Sequence, residues 1–195
     1  AAPKETYPRA SIARMLERQN KLDEAIAIYR AIERDDPKDT FYVSNVPRLL
    51  AMQGKGDEAV GEWRRLCDKD PANASFRTSL GNVLEGQGKT IEAIAEYNKA
   101  LALTPNNAWI HVKIGGAYQK LENYAEARAS LVRALEAQPD NAEALSKLEA
   151  VYEAEKRPDE WLAYLRGLIE RRPGNAGALA KFEACLLYTS DAADD

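Results

Sequence analysis

The chain has 195 residues, of which 45% are hydrophobic and 30% are charged, and this composition argues against a disordered or fibrous protein. The net charge of −4 argues against a nucleic-acid binder, and no apolar run reaches the roughly 18 residues that a membrane-spanning helix needs. Two cysteines and one histidine are too few for a disulfide framework, a Cys/His metal site or the usual histidine-based catalytic groups. We therefore expect no enzyme activity, no metal and no cofactor.

Five of the nine prolines recur at a fixed interval of 34 residues. They are Pro37, Pro71, Pro105, Pro139 and Pro173. A fixed period of this size is typical of a repeat array built from helix–turn–helix units. Two residues after each proline comes a favoured helix N-cap, namely Asp39, Asn73, Asn107, Asn141 and Asn175. Because proline cannot continue a helix, the pattern predicts that one helix ends and the next begins near each proline.

The second helix of each predicted repeat carries a small residue followed four positions later by a large one. The small positions are Ala25, Ala59, Ala93 and Ala127, with Trp161 in the fifth repeat. The large positions are Tyr29, Trp63, Tyr97, Leu131 and Leu165. Residues four apart share one helix face, so the alanine allows a close helix pair and the large side chain fills the groove beside it.

These residues resemble the tetratricopeptide repeat (TPR) family, whose small residue at the first-helix contact is matched by Gly81 and Gly115. The resemblance implies an all-α fold, a TPR-type right-handed α-solenoid of antiparallel helix pairs. It divides the chain into a leader at 1–5, five repeats, and the start of a further repeat or capping helix at 176–184. The five predicted repeats span 6–39, 40–73, 74–107, 108–141 and 142–175.

Two residues depart from the family pattern. Pro47 lies inside the predicted first helix of repeat two, where it should bend or break that helix. Trp161 replaces the small residue of repeat five, so that helix pair should open or shift.

The last segment, residues 185–195, loses the repeat pattern. It resembles the in-frame translation of a sequencing-library adapter, and the alternative is a genuine short acidic tail. If the first interpretation holds, the native reading frame continues beyond Ala184.

The TPR resemblance implies that the first helices line a concave groove where partners bind. The groove candidates are Tyr7, Arg14, Arg18, Phe41, Asn45, Arg48, Asn82, Trp109, Lys113, Lys120 and Lys147. Six of these are basic, and the same sequence columns contain one acid, Glu143, which favours an acidic partner. The alternative is that these charges only coat a solvated surface. The carboxylate clamp of chaperone-binding TPR proteins is incomplete in every register, and Asn45 alone fits the first one.

The main hypothesis is a scaffold or adaptor that binds a peptide or helix of a partner protein in this groove. A second hypothesis is the regulatory or substrate-recruiting arm of a larger enzyme, such as a glycosyltransferase, whose catalytic domain lies beyond this sequence. A third is self-association through a poorly capped C-terminal repeat. For His111 and Cys67 we expect structural roles, as a partly buried histidine and a small buried hydrophobe.

Overall fold

The structure is a computed structural model that describes residues 3–38 and 40–191. Asp39, which the sequence predicts as an N-cap, and residues 192–195 of the predicted non-native tail lie outside the described residues. The described residues contain helices and no strand, which confirms the predicted all-α fold class. They fall into two compact units, which divide between Leu103 and Thr104.

The described residues of the first unit form six helices. They are α1 (Pro3–Arg18), α2 (Leu22–Asp35), α3 (Asn45–Met52), α4 (Gly56–Lys69), α5 (Ala74–Gly86) and α6 (Thr90–Leu103). In the second unit, residues 104–191 form five helices. They are α7 (Ala108–Lys120), α8 (Tyr124–Ala137), α9 (Ala142–Ala154), α10 (Pro158–Arg171) and α11 (Ala176–Asp191). Helix α1 begins within the stretch 1–5 that the sequence assigns to a leader, and α11 continues past Ala184.

The helix boundaries follow the predicted N-caps and turns. The side chains of Asn73, Asn107 and Asn141 each accept a hydrogen bond from the backbone N–H three residues later, at 2.9–3.3 Å. The turn within each helix pair places one residue in the left-handed region, at the same position of the 34-residue period. These residues are Asn20, Gly54, Gly88, Glu122 and Lys156, with φ between 56° and 76°. Glycine adopts this conformation without a steric cost, as at Gly88.

Small residues bring the helices of a pair close together. Ala93 and Ala127 are fully buried, and a Cβ built on Gly81 would lie 2.5 Å from Cε1 of Tyr97. A Cβ on Gly115 would lie 2.6 Å from Cγ of Leu131. The pairs α5–α6 and α7–α8 are accordingly the most closely packed helices.

The pair α9–α10 packs less closely, as the sequence predicts from Trp161. The indole is buried between two tyrosines, with ring centroids 5.7 Å from Tyr152 and 5.9 Å from Tyr164. Glu149 stands where the closely packed pairs have glycine, and its carboxylate pairs with Lys181 of α11. Two large residues at positions that are small elsewhere thus separate these two helices.

Pro47 shortens the first helix of repeat two rather than bending it. Helix α3 has eight residues, against 13 in α5, and begins only two residues before the proline. Pro47 therefore lies in the first turn, where a backbone N–H would have no intrahelical acceptor. The placement of Phe41 on the first helix is wrong, because residues 41–44 form a turn ahead of α3.

Candidate functional site

The first unit contains a groove of about 560 Å³ between α3 and α5. Among its lining residues are three that the sequence predicts for partner binding: Asn45, Arg48 and Asn82. The structure adds Trp63, which is almost fully buried, and the exposed Met52. The groove therefore combines amide and guanidinium groups with apolar surface.

Arg48 is held by a network of polar contacts that reaches the core. Its Nη2 donates to Glu17 Oε2 at 2.5 Å and to Asn45 Oδ1 at 3.1 Å. The other oxygen of Glu17 accepts a 2.8 Å hydrogen bond from the hydroxyl of Tyr29, which is fully buried. Burial, together with the hydrogen bond to Glu17, raises the pKa of Tyr29 to about 12, so this hydroxyl is a neutral donor at pH 7. The network fixes the guanidinium in position.

Glu17 makes the groove less positive than the sequence columns indicate, because its carboxylate pairs with Arg48. It lies on α1, outside those columns, and only 17% of its side chain is exposed. Its position follows from the 34-residue period, since Glu17 and Glu85 occupy equivalent sites opposite Tyr29 and Tyr97. A search for pairs of polar residues across the two helices of a repeat would have found it.

Asn82 has a similar anchor on α5. Its Oδ1 accepts a 2.8 Å hydrogen bond from the hydroxyl of Tyr97, which also lies 3.0 Å from Glu85 Oε2. Because the Asn82 oxygen is the acceptor, its amide N–H groups remain as donors on a partly exposed side chain.

The other candidates of the first unit are exposed and lie outside the lining of the groove. Tyr7 is 65% exposed on α1, and Phe41 is 69% exposed beside Tyr42, with ring centroids 5.0 Å apart. Arg14 and Arg18 are exposed on α1, and neither forms an ion pair with another described side chain.

Helices α7 and α9 of the second unit carry the remaining candidates. Nζ of Lys113 lies 5.3 Å from the ring centroid of Trp109, a cation–π arrangement at a side chain that is 43% exposed. Lys147 has its Nζ 3.7 Å from Glu143 Oε1, so its charge is partly neutralised. Lys120 is the last residue of α7.

His111 and Cys67 are both buried, which confirms the burial that the sequence predicts for them. His111 is 8% exposed, and its Nε2 lies 3.0 Å from the carbonyl oxygen of Pro105, so this nitrogen carries the proton. Cys67 is buried, and burial raises the pKa of its thiol, which makes it a poor nucleophile. Among the described residues, no group of three or more histidine, cysteine or acidic side chains is placed to hold a metal ion. None of the described helices combines the length and hydropathy needed to cross a bilayer.

Comparisons with known proteins identify the repeat. Residues 86–122 match a family profile described as TPR repeat, and residues 112–176 match one described as tetratricopeptide repeat. A comparison with curated proteins gives no match.

Three solved structures illustrate the likeness of fold. The chain is 19% identical to the MamA protein, covering 90% of this chain and 96% of that one with a TM-score of 0.72. It is 19% identical to YrrB, described as a TPR protein with an unusual peptide-binding site, covering 90% and 91% with a TM-score of 0.64. It is 21% identical to TTC0263, a thermophilic TPR protein of Thermus thermophilus, covering 93% and 99% with a TM-score of 0.58.

The helix pairs and their 34-residue period define the class of helical-repeat proteins that act as protein-interaction scaffolds. Within that class, the chain is a tetratricopeptide repeat protein. The TPR fold is typically a non-catalytic scaffold.

Proposed function

We propose that this TPR chain binds a peptide or helix of a partner protein in the groove between α3 and α5, and that the bound segment carries carboxylates. The observation that carries the proposal is the position of Arg48 on the groove wall, fixed by Glu17 and Asn45. A guanidinium that is already ordered loses less conformational freedom when a carboxylate binds. Asn82 offers amide donors to the same segment, and Trp63 and Met52 offer apolar contact.

Other exposed cations, in each unit taken by itself, favour the same chemistry. Glu17 offsets one positive charge, but Arg14 and Arg18 on α1 have no carboxylate partner among the described residues. Lys113 of the second unit likewise forms no ion pair with a described residue. Exposed cations of this kind raise the rate at which acidic segments meet the surface.

Reversing the charge of one basic residue in each unit tests the proposal. The immobilised chain is used to capture partners from an extract of the source cells, and the double variant Arg48→Glu, Lys113→Glu is compared with the parent. The control is Arg166→Glu, an exposed residue on a second helix that forms no ion pair with a described side chain. We expect the double variant to lose partners that the control retains. Equal recovery by all three proteins would overturn the assignment of these surfaces.

Self-association through the C-terminal repeat remains a separate proposal. Analytical ultracentrifugation over a roughly 100-fold range of protein concentration tests it directly, because association increases with concentration. A sedimentation coefficient that rises with concentration supports self-association, and a constant monomer mass contradicts it.

A further inference from the structure

The second unit contains a second cleft, which is formed by the second helices of two repeats rather than by first helices. It lies between α8 and α10 and has a volume of about 580 Å³. Its apolar lining includes Val132, Leu135, Ala163, Tyr164, Gly167 and Leu168. Arg171, Arg172 and Glu136 supply its charged groups.

At the equivalent positions three repeats earlier, ion pairs cover the surface between the two second helices. Between α2 and α4, Arg30 pairs with Glu62 at 3.3 Å and Arg65 pairs with Glu33 at 2.6 Å. Lys69 also approaches Glu33, at 3.5 Å. Charged side chains therefore span the surface between those two helices.

The repeat period shows which residues replace these ion pairs in the second unit. Arg30 and Glu62 become Val132 and Tyr164, and Glu33 and Arg65 become Leu135 and Gly167. Arg171 stands at the position of Lys69, so one cation is kept while its carboxylate partner is lost. The surface between α2 and α4 is therefore charged, and the surface at the equivalent positions between α8 and α10 is an apolar cleft.

Gly167 keeps the cleft open, although the packing of the neighbouring residues would allow a larger side chain at this position. A Cβ built on it would meet only the end of Arg171, with Nη1 at 4.0 Å. A glycine inside a helix is unfavourable compared with other residues, and here no close neighbour explains it. The absent side chain leaves space in the cleft that Leu135 and Leu168 also line.

The polar side chains of the cleft have no hydrogen-bond or ion-pair partner within the described part of the chain. Arg171 and Arg172 form no ion pair with a described residue, and they outnumber the single carboxylate of Glu136. The hydroxyl of Tyr164 makes no hydrogen bond within the described part of the chain, although its ring stacks on Trp161. A ligand that supplies carboxylates would satisfy these donors.

The geometry points to a second interaction surface, on which the α8–α10 cleft binds a partner-protein peptide that carries an aliphatic or aromatic side chain flanked by carboxylates. The apolar side chain fills the space beside Gly167, and the carboxylates pair with Arg171 and Arg172. This surface shares no lining residue with the α3–α5 groove.

The test measures binding of two synthetic probes to the full chain by ¹⁵N-resolved NMR. One peptide places a leucine and a phenylalanine between pairs of glutamates, and the other has lysines instead of the glutamates. The variant Gly167→Arg restores the long basic side chain found at the equivalent positions Arg65 and Arg133 and fills the cleft. Its matched control is Gly61→Arg, at an exposed position inside α4 where a Cβ would have no neighbour within 4 Å.

We expect the glutamate peptide to shift the backbone resonances of residues 132–139 and 163–172, and to bind the Gly167→Arg variant about tenfold more weakly. The Gly61→Arg control should bind it as the parent does, and the lysine peptide should bind about tenfold more weakly than the glutamate peptide. Resonance shifts elsewhere, equal binding of both peptides, or unchanged binding by Gly167→Arg would each overturn the proposal. Concentration-dependent self-association that Gly167→Arg abolishes would also overturn it, because the cleft would then hold a second copy of this chain.

Discussion

The hydroxyl of Tyr29 lies 2.8 Å from Glu17 Oε1, and this hydrogen bond connects the core of the first unit to its candidate partner-binding surface. The other oxygen of Glu17 accepts from Arg48, so a core residue of α2 positions an arginine on α3 through a carboxylate on α1. The 34-residue period repeats the first half of this arrangement, with the hydroxyl of Tyr97 at 3.0 Å from Glu85. A buried tyrosine thus serves both packing and the organisation of the surface.

We expect Tyr29→Phe to lower the free energy of unfolding by about 1 kcal/mol, the usual net value of one hydrogen bond. It should also weaken partner binding in the α3–α5 groove several-fold, because Arg48 loses the support of a fixed Glu17. Urea unfolding and partner affinity measure the two effects. The control is Tyr124→Phe, whose hydroxyl has no hydrogen bond to a described residue, and its stability should change by less than about 0.5 kcal/mol. Equal stability of Tyr29→Phe and the parent would contradict the prediction.

The contact between Gly81 and Tyr97 limits how large residue 81 can be. An alanine Cβ would lie 2.5 Å from the ring, and Tyr97 is fully buried and cannot turn away. We expect Gly81→Ala to destabilise the chain by about 1–3 kcal/mol, as overpacking usually does. Gly61→Ala, inside α4 with nothing near the new methyl, should instead stabilise it by about 0.5–1 kcal/mol. Thermal unfolding of both variants checks the opposite signs, and a neutral Gly81→Ala would show that α5 and α6 can separate without cost.

Much of the fold was predictable because the 34-residue period repeats physical constraints. The N-caps at Asn73, Asn107 and Asn141 and the fully buried Ala93 are confirmed by the structure. Each depends on local properties of one residue type, a side-chain acceptor at a helix start or a methyl group at a helix contact. Such properties can be recognised without knowledge of the neighbouring side chains.

The polar contacts of the candidate site were less predictable because they join residues from different helices. The pairing of Arg48 with Glu17 depends on rotamers across α1 and α3, and the sequence columns assigned Arg48 a charge without a counter-ion. Phe41 was misplaced because Pro47 delays the start of α3, and the length of that delay depends on tertiary packing. The α8–α10 cleft could in principle have been predicted from the sequence, since Val132 and Gly167 stand at positions where earlier repeats have arginine.

The ion pairs of Glu33 make the stability of the first unit depend on pH. Burial raises the pKa of Glu33, but the hydrogen bond and charge of Arg65, with Lys69, outweigh burial and hold it below its ordinary value of 4.5. A lowered folded-state pKa gives stability that is present above the ordinary value and is lost as the pH falls through the folded-state value. We therefore expect stability to decline below about pH 4.5, and Glu33→Gln to reduce that decline.

Urea midpoints of the parent and Glu33→Gln at pH 7 and pH 3 measure this effect. The variant should be less stable than the parent at pH 7, and the difference should shrink at pH 3, because the native carboxylate takes up a proton as the pH falls through its lowered pKa. Glu170→Gln is the control, since Glu170 is exposed and forms no ion pair with a described residue. A constant difference between parent and Glu33→Gln at both pH values would contradict the prediction.

Asn175 performs two tasks at the start of α11, and substitutions can separate them. Its Oδ1 accepts from the backbone N–H of Ala178 at 2.9 Å, and its Nδ2 donates to the carbonyl of Pro139 at 2.6 Å. The side chain is 5% exposed, so loss of both contacts leaves a buried carbonyl without its donor. We expect Asn175→Ala to cost about 2–3 kcal/mol, against about 1 kcal/mol for Asn141→Ala, which removes a cap at a less buried site.

Asn175→Ser should fall between these values, because serine keeps the cap acceptor and loses the donor to Pro139. The difference between the Ala and Ser variants then measures the cap, and the difference between Ser and the parent measures the link to the loop between α8 and α9. Urea unfolding of the three variants under one set of conditions gives both quantities. Equal costs for Asn175→Ala and Asn141→Ala would mean that the hydrogen bond to Pro139 adds nothing, and that the helix cap alone explains the buried asparagine.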